Sequence, residues 1–272
     1  MQFINEIWKA FSHTKLVDIE KIPLGFKNQS YLCTDETCKK FVIKIYASNF
    51  LSNEIIDSYC ELVNTLRSKK VPVLELIRGK DGKFLQVILD GETKVLRQIT
   101  VSKYVEASIV REEYLNKEIV EEIANNLSRF HSVLKKIQIP KNHRELNPIQ
   151  IIDELLGDKA LTLIKEFFIK NVNRVDRLDK YLEKYKKTGE TLKNYFSSNS
   201  PSLSTKQLIH GDFNLSNLDI RDGKIMTIFD FDEMTIAPIA FEIGSSIVHL
   251  DEGFMFSDDL FETYLRRYIS SF

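Results

Sequence analysis

The sequence lacks several features that would place a chain of 272 residues in a class directly. Its 38 lysines and arginines nearly balance its 39 aspartates and glutamates, so no net field favours nucleic acid or an anionic membrane. No apolar run is long enough to cross a bilayer, and residues 1–8 lack the basic start and apolar block of a signal peptide. We therefore expect a soluble, cytoplasmic protein that has neither nucleic acid nor a membrane as its partner.

Cysteine is scarce as well. Cys33, Cys38 and Cys60 show no metal-ligand spacing, and an odd count in a chain of this length does not indicate a disulfide framework. Reduced thiols are expected, although Cys33 and Cys38 could approach each other across a hairpin. Internal repeats and low-complexity tracts are also missing.

The first hundred residues are rich in β-branched and aromatic side chains, which predicts an antiparallel sheet. The predicted strands are Val17–Pro23, Tyr31–Thr34, Lys40–Tyr46, Leu74–Arg78, Phe84–Leu89 and Lys94–Val105. Asn53–Lys70 places apolar residues at helical spacing, and Pro72 stops the pattern. The N-terminal part is therefore expected to be a small β-rich lobe with one helix.

From about Ser108 onward the periodicity is helical. The predicted helices are Lys117–Leu134, a helix that starts at Pro148 and runs to Phe168, Arg174–Phe196, Phe241–Leu250 and Asp258–Ser270. Two short strands flank the turn signal Asp222-Gly223. The sequence thus predicts an α+β fold in which a larger helical lobe contains one hairpin, and clefts between lobes are common ligand sites.

The strongest functional signal is the segment His210-Gly211-Asp212-Phe213-Asn214-Leu215-Ser216-Asn217. Kinase catalytic loops place an Asp five positions before an Asn, as Asp212 and Asn217 are placed here. The Asp accepts the proton of the attacking hydroxyl, and the Asn coordinates a magnesium ion that neutralises charge on the transferred phosphate. Asp230, in Phe229-Asp230-Phe231-Asp232, supplies the second metal ligand that such a site requires.

The predicted hairpin tests whether Asn217 and Asp230 can meet. Counting back from the Asp222-Gly223 turn pairs Asn217 with Ile228. Because strand side chains alternate, Asn217 and Asp230 would then share a face with their Cα atoms about 7–8 Å apart. Two side chains at that separation can share one metal ion.

These segments resemble the aminoglycoside phosphotransferase and choline kinase-like superfamily, whose members are relatives of protein kinases. The resemblance covers most of the chain: Leu127–His131 resembles the helix end before the substrate region, and Ile209–Leu218 resembles the catalytic loop. Phe229–Glu233, with Pro238 and Glu242 after it, resembles the metal-binding segment, although the family often has Asp where Glu242 stands.

The resemblance implies a bilobal protein-kinase-like fold that uses ATP and Mg²⁺. Residues 1–98 would form the nucleotide-binding lobe, and residues 99–272 the hinge and the helical lobe with the catalytic loop and acceptor site. By resemblance Asp212 is the catalytic base, Asn217 and Asp230 are magnesium ligands, and His210 orients the loop. We expect His210 to be packed and hydrogen-bonded rather than an acid or base, and Asp232 to be either a carboxylate behind the metal or a solvent-facing one.

Lys44 lies inside the apolar strand segment Phe41–Tyr46. A buried ammonium needs an anionic partner, and in kinases the nucleotide phosphates and a helix glutamate provide it. A lysine that points to water from an edge strand is the alternative. Upstream, Leu24–Tyr31 resembles the loop that covers the phosphates, and its candidate nucleotide-binding residues are Gly25, Asn28 and Ser30.

The helix glutamate is where the sequence departs from the family. A relative's glutamate would fall near Tyr59, which cannot carry the charge. Glu54 and Glu61 are the available substitutes, and we favour Glu54 as the partner of Lys44 at the nucleotide site. The alternative is that both are solvated helix surface.

The function predicted is transfer of the γ-phosphoryl group of ATP to a hydroxyl of a small molecule. An amine-bearing acceptor is favoured because carboxylates, and no lysine or arginine before Arg266, follow Asp230, although several of them could simply start helices. One alternative is a protein Ser/Thr kinase, which the seven residues between Asp230 and Pro238 disfavour because they leave no activation segment. The other is a catalytically silent nucleotide-binding protein.

Overall fold

The structure, a computed structural model, describes residues 2–23, 28–47, 51–108, 110, 114–137, 143–171, 178–197, 206–250 and 257–272. The helices are α1 (Gln2–Phe11), α2 (Asn53–Ser68), α3 (Lys117–Leu134), α4 (Pro148–Leu156), α5 (Asp158–Asn171), α6 (Leu178–Ser197), α7 (Ile239–Leu250) and α8 (Asp258–Ser271). The strands are β1 (Leu16–Ile22), β2 (Gln29–Asp35), β3 (Lys40–Ile45), β4 (Leu76–Ile77), β5 (Gln86–Leu89), β6 (Leu96–Lys103), β7 (Lys206–Ile209), β8 (Leu218–Arg221), β9 (Lys224–Ile228) and β10 (Thr235–Pro238).

The N-terminal lobe is built on one antiparallel sheet, as predicted, in the order β1-β2-β3-β6-β4 with β5 also paired to β6. The helix α1 was missing from the prediction. Its apolar residues recur at positions i, i+3, i+4 and i+7 and pack on the sheet as part of one core: Ile4, Ile7, Trp8 and Phe11. The described part of the lobe therefore contains two helices rather than one.

The helix α2 joins the two lobes. Ser52 caps it by accepting a hydrogen bond from the amide of Ile55. Part of its buried face, including Ile56 and Cys60, packs beneath the N-terminal sheet region, while Tyr59, Leu62, Val63 and Leu66 belong to the large core that also contains α3. A single helix thus fixes the sheet relative to the helical lobe.

The helical lobe is centred on α3, which has the bounds predicted from the sequence. α8 packs along it, and the hairpin β8–β9 and the short antiparallel pair β7–β10 lie against the same core. The predicted helix from Pro148 to Phe168 is divided at Gly157 into α4 and α5. The pair β7–β10 was not predicted, because strands of four residues carry little periodic signal.

The predicted hairpin forms, but its register differs from the prediction. The two-residue turn is confirmed, with positive φ at Asp222 and Gly223. A bulge adds Met226 to β9, so that Leu218 rather than Asn217 faces Ile228. The predicted register was therefore wrong by one residue.

Three further expectations concern the whole chain. All three cysteines are free. No helix in the described part of the chain combines the length and apolar character that crossing a bilayer requires. The predicted division of the chain after residue 98 falls inside β6 and stays a prediction.

Candidate active site

The catalytic-loop segment connects β7 to β8. At Gly211 the backbone has φ +84°, and a Cβ there would lie 2.0 Å from the carbonyl oxygen of Glu233. Only glycine fits this position, because any side chain would collide with backbone. The loop can therefore pass directly against the segment that contains Asp230 and Asp232.

Two asparagines hold the carboxylate of Asp212. Asn214 donates from Nδ2 to Oδ1 at 2.7 Å, and Asn217 donates from Nδ2 to Oδ2 at 2.9 Å. Asn217 also donates to the carbonyl of Asp212 at 2.8 Å. Asn214 in turn caps the short 3-10 turn Leu215–Asn217. The predicted base and the first predicted metal ligand are thus in direct contact, oriented by short-range hydrogen bonds.

Asp230 reaches the same place by a route that differs from the prediction. β9 ends at Ile228, and the amide of Phe229 donates to the carbonyl of Asn217 at 2.9 Å. Asp230 itself has φ 55°, a left-handed conformation that Asp tolerates better than most residues. This turn, rather than strand alternation, brings the segment of Asp230 alongside Asn217.

His210 is fully buried in the loop. The carbonyl of Phe229 accepts a hydrogen bond from its Nε2 at 2.9 Å, and its Nδ1 accepts one from the amide of Asp212 at 3.2 Å. These partners require the neutral tautomer with the proton on Nε2. The prediction of a packed, hydrogen-bonded histidine is confirmed.

Lys44, on β3, contacts both carboxylates of the predicted metal-binding segment, Asp230 and Asp232. Its Nζ lies 3.1 Å from Oδ1 of Asp230 and 2.5 Å from Oδ2 of Asp232. Burial would lower the pKa of Lys44, but Asp232, Tyr46 and Asp230 outweigh it and raise the pKa. We call Lys44, Asp230 and Asp232 the cleft cluster.

The pKa values of the two carboxylates in the cleft cluster are shifted in opposite directions. Burial raises the pKa of both, and Lys44 lowers both. Asp230, whose side chain is 46% exposed, has a lowered pKa in balance. Asp232, 13% exposed and repelled by Asp230, has a raised pKa. The more accessible Asp230 is thus the more acidic of the two.

The predicted pairing of Lys44 with Glu54 is absent from the described residues. Glu54 is exposed in the first turn of α2, where it interacts with Ser52. Glu61 pairs with Arg78, with N to O distances of 3.0 and 3.1 Å. Lys44 finds its anions in the cleft cluster instead, and a role of Glu54 at the nucleotide site stays a prediction.

Tyr59 lies near the position at which the family resemblance predicts the helix glutamate. It is buried, and its hydroxyl donates to the carbonyl of Met234 at 2.6 Å. Burial raises its pKa to about 12, which keeps the hydroxyl protonated as a donor. Tyr59 therefore ties α2 to the segment after Asp232 without supplying a charge.

The predicted phosphate-covering loop is described in part. Asn28 donates from Nδ2 to Oδ2 of Asp232 at 2.6 Å and accepts from the amide of Ala47 at 2.9 Å. Ser30 pairs with Lys44 across β2 and β3 and lines the interlobe cavity. Gly25 lies outside the described residues. The contact between Asn28 and Asp232 was not predicted, because the two are 204 positions apart in the sequence.

A cavity of about 390 Å³ lies between the lobes. The cleft cluster lines it together with Ser216 of the catalytic loop. Apolar side chains from both lobes form much of the remaining wall: Val42, Val63, Leu74, Leu76, Phe229 and Phe231. Residues 102–105, which follow the predicted division after residue 98, line it as well. A mostly apolar cavity with a few convergent charges is the usual form of a small-molecule site.

The oxygen donors near Asn217 and Asp230 fit Mg²⁺ when phosphate oxygens complete the coordination. No group of three or more His, Cys, Asp or Glu side chains arranged to hold a metal occurs in the described ranges. Mg²⁺ is commonly bound by one or two carboxylates plus substrate phosphates and water, so a full protein cage is not required. Because Nδ2 of Asn217 is engaged with Asp212, its Oδ1 is the atom suited to a cation.

The sequence matches the phosphotransferase enzyme family (APH) over residues 18–271. The chain belongs to this family. Comparison with curated protein sequences gave no match. Since the family match spans both lobes and the catalytic-loop segment, the chain is a phosphotransferase.

Several solved kinases share the fold of this phosphotransferase. An amicoumacin kinase in complex with AMP-PNP, Ca²⁺ and Ami superposes with a TM-score of 0.73 at 14% identity, covering 99% of this chain and 76% of that one. A microcompartment-associated aminopropanol kinase gives 0.69 at 15% identity, covering 100% and 81%. Choline kinase from Cryptosporidium parvum Iowa II gives 0.62 at 14% identity, covering 99% and 78%. The predicted α+β, bilobal kinase-like fold is confirmed.

The catalytic-loop segment of this phosphotransferase rests on a buried carboxylate. Glu242 of α7 accepts hydrogen bonds from the amides of Gly211 at 2.5 Å and His210 at 3.1 Å. Its Oε2 also lies 2.5 Å from Nε2 of His131, whose Nδ1 lies 2.7 Å from the hydroxyl of Tyr268. We call His131, Glu242 and Tyr268 the buried support. Glu242 thus holds the backbone of the loop through hydrogen bonds to two amides.

The carboxylates that follow Asp230 do not act together in the described residues. Glu233 pairs with Arg144, and Glu242 is buried in the support. Asp258 and Asp259 begin α8, where acidic side chains favour the helix dipole. Asp251 and Glu252 lie outside the described residues. Most of the acidic run therefore has structural roles, as the helix-start alternative predicted for Asp258 and Asp259.

Proposed function

We propose that this phosphotransferase moves the γ-phosphoryl group of ATP to a hydroxyl of a small molecule. The observation that carries the proposal is the convergence of Lys44, Asp230, Asn217 and Asp212, which come from β3 and from both sides of the β8–β9 hairpin. No single element could bring these groups together. Their types match the parts that phosphoryl transfer needs, namely a phosphate-binding cation, metal ligands and a base.

The interlobe cavity is the proposed nucleotide site. Its apolar walls suit a purine base, and Lys44 would bind the phosphates while Asp232 and Asn28 keep its side chain in place. The similar amicoumacin kinase was solved with AMP-PNP, a nucleotide analogue. Asn217, through Oδ1, and Asp230 would hold Mg²⁺, which neutralises charge on the transferred phosphate. The cytoplasm, where nucleoside triphosphates are supplied, is the compartment this proposal favours.

Asp212 is the proposed catalytic base. One of its carboxylate oxygens takes the proton of the acceptor hydroxyl as the acceptor oxygen bonds to the γ-phosphorus and the bond to the bridging oxygen of ADP breaks. Asn214 and Asn217 each hold one carboxylate oxygen, which limits rotation of the side chain. No covalent enzyme intermediate is needed.

The acceptor is proposed to be small and to carry an amine. β10 begins at Thr235, only a few residues after Asp230, and pairs with β7, which leaves no activation segment of the kind protein kinases use. The similar aminopropanol and choline kinases are named for amino alcohols. Asp212, in the catalytic loop, is a carboxylate that would favour a cation on the acceptor.

An acceptor screen tests the proposal. ATP or GTP, with and without Mg²⁺, is incubated with amino alcohols, aminoglycosides, amino acids, neutral sugars and a protein mixture, and nucleoside diphosphate release is measured. We expect Mg²⁺-dependent transfer to at least one amine-bearing hydroxyl compound. Transfer only to neutral sugars would contradict the amine, transfer only to proteins would favour a protein kinase, and nucleotide binding without any transfer would favour the catalytically silent alternative.

A further inference from the structure

A chain of buried hydrogen bonds runs from the C-terminal helix to the catalytic loop. The hydroxyl of Tyr268 on α8 lies 2.7 Å from Nδ1 of His131 on α3, and Nε2 of His131 lies 2.5 Å from Glu242 on α7. Glu242 then accepts from the amides of His210 and Gly211. The side chains of His131 and Glu242 are 0% and 1% exposed, so both depend on protein groups for their hydrogen bonds.

The carboxylate of Glu242 fixes the direction of the hydrogen bonds that it makes. Burial raises the pKa of Glu242, but hydrogen bonds from His131 and Gly211 outweigh burial and lower it, so the carboxylate is ionised and only accepts. His131 must therefore carry a proton on Nε2 and donate. On the other side of the ring, Nδ1 of His131 and the hydroxyl of Tyr268 form the second hydrogen bond, and burial raises the pKa of Tyr268, which keeps that hydroxyl protonated.

We infer that Tyr268 is a positioning residue for the catalytic loop, acting through His131 and Glu242. The inference rests on the proposed function only for the role of the loop, which is to carry the proposed base Asp212. Tyr268 fixes the ring orientation of His131, His131 fixes the carboxylate of Glu242, and that carboxylate sets the backbone at Gly211, one residue before Asp212. Outer partners of this kind commonly affect activity although they touch no substrate.

The chain supplies a matched control on the same helix. Tyr264 lies one turn before Tyr268, is also buried, and donates to the hydroxyl of Ser246 at 3.0 Å rather than to the support. Replacing either tyrosine with phenylalanine removes one buried hydrogen bond and keeps the ring. In Tyr268→Phe the stacking on Phe272, with ring centroids 5.7 Å apart, is retained. Any general loss of packing or stability should therefore be similar in the two variants.

Hydrogen–deuterium exchange of the full chain is the first measurement, because it needs neither ATP nor an acceptor. We expect the amides of His210 and Gly211 to exchange faster in Tyr268→Phe than in the wild type, and unchanged in Tyr264→Phe. Equal exchange in the two variants would overturn the inference. A wild-type chain without transferase activity would leave this result intact, so failure of the proposed function is seen separately.

Kinetics with the acceptor found in the screen sharpen the test. We expect kcat to fall about tenfold in Tyr268→Phe, with KM for ATP unchanged and Tyr264→Phe close to wild type. Glu242→Gln should lower kcat by itself, and adding Tyr268→Phe to it should have no further effect, because the link to the loop is already broken. Multiplied losses in the double variant, or a rise in KM instead of a fall in kcat, would contradict a positioning role.

Discussion

The cleft cluster and the buried support lie on two sides of the same loop and treat their carboxylates differently. In the cleft cluster two carboxylates share one ammonium, and Asp230 stays nearly half exposed. In the support a single carboxylate, Glu242, accepts hydrogen bonds from three donors and is closed to solvent. The cleft cluster has two carboxylates for one ammonium and can therefore bind a further cation, whereas both oxygens of Glu242 in the support already accept hydrogen bonds. The first arrangement suits ligand binding, and the second suits only positioning.

The loop between the two clusters carries the largest expected effect. Asp212→Asn keeps the size of the side chain but removes the proton acceptor, so the transfer rate should fall about 10²–10⁴-fold while nucleotide binding persists. Steady-state kinetics measure the transfer rate, and a nucleotide titration measures the binding. Asp222→Asn is the control, since Asp222 lies in the exposed hairpin turn with a φ of 49° that Asn also tolerates. Wild-type turnover in Asp212→Asn would contradict the role of Asp212 as the catalytic base.

The second largest effect is expected when the buried support is broken, which should lower the free energy of unfolding. In Glu242→Gln the amide NH₂ faces an N–H donor of the loop whichever way it is turned, because Gly211 and His210 donate to different oxygens of Glu242. We expect a loss of about 3 kcal/mol in the free energy of unfolding, measured by urea denaturation. Glu262→Gln, which touches only the exposed pair with Arg266, is the control. Equal stability of the two variants would contradict the saturated support.

The same carboxylate predicts an acid dependence. The folded pKa of Glu242 lies below its ordinary value of 4.5, so its stabilisation is present above that pH and declines as the pH falls below it. Thermal melts between pH 7 and pH 3 should show a smaller loss on acidification in Glu242→Gln than in the wild type. Parallel losses would show that Glu242 has no depressed pKa.

The cleft cluster should show a smaller coupling. In a double-mutant cycle of Lys44→Met and Asp232→Asn, we expect an interaction free energy of about 1 kcal/mol. Both side chains are mostly buried, but Lys44 still has its ion pair with Asp230 when Asp232 is replaced. Urea denaturation measures it. The exposed pair of Arg78 and Glu61 provides the control cycle and should couple less. Additive effects of Lys44 and Asp232 would contradict the pairing.

The smallest expected effect is at Glu54. Because Glu54 is exposed and Lys44 pairs within the cleft cluster, Glu54→Gln should leave KM for ATP unchanged, whereas Lys44→Met should raise it. Glu61→Gln should also leave KM unchanged. A raised KM in Glu54→Gln alone would restore the helix glutamate as the partner of Lys44.

The sequence predicted best those features that depend on residues close to one another along the chain. The contact of Asp212 with Asn217 spans five positions, and α3 has a long, regular apolar stripe. The bulge at Met226 was missed because packing, not alternation, decides where a strand takes an extra residue. The partners of Lys44 were missed because Asp230 lies 186 positions away, and no local pattern encodes a contact across the two lobes.

A crystal structure with AMP-PNP and Mg²⁺ tests the central claim most directly. The account predicts the base of the nucleotide in the interlobe cavity, Nζ of Lys44 on the phosphates, and one metal ion bound by Oδ1 of Asn217 and the carboxylate of Asp230. The γ-phosphate should point towards Asp212. A nucleotide bound elsewhere, or a metal ion held without Asn217 and Asp230, would contradict it.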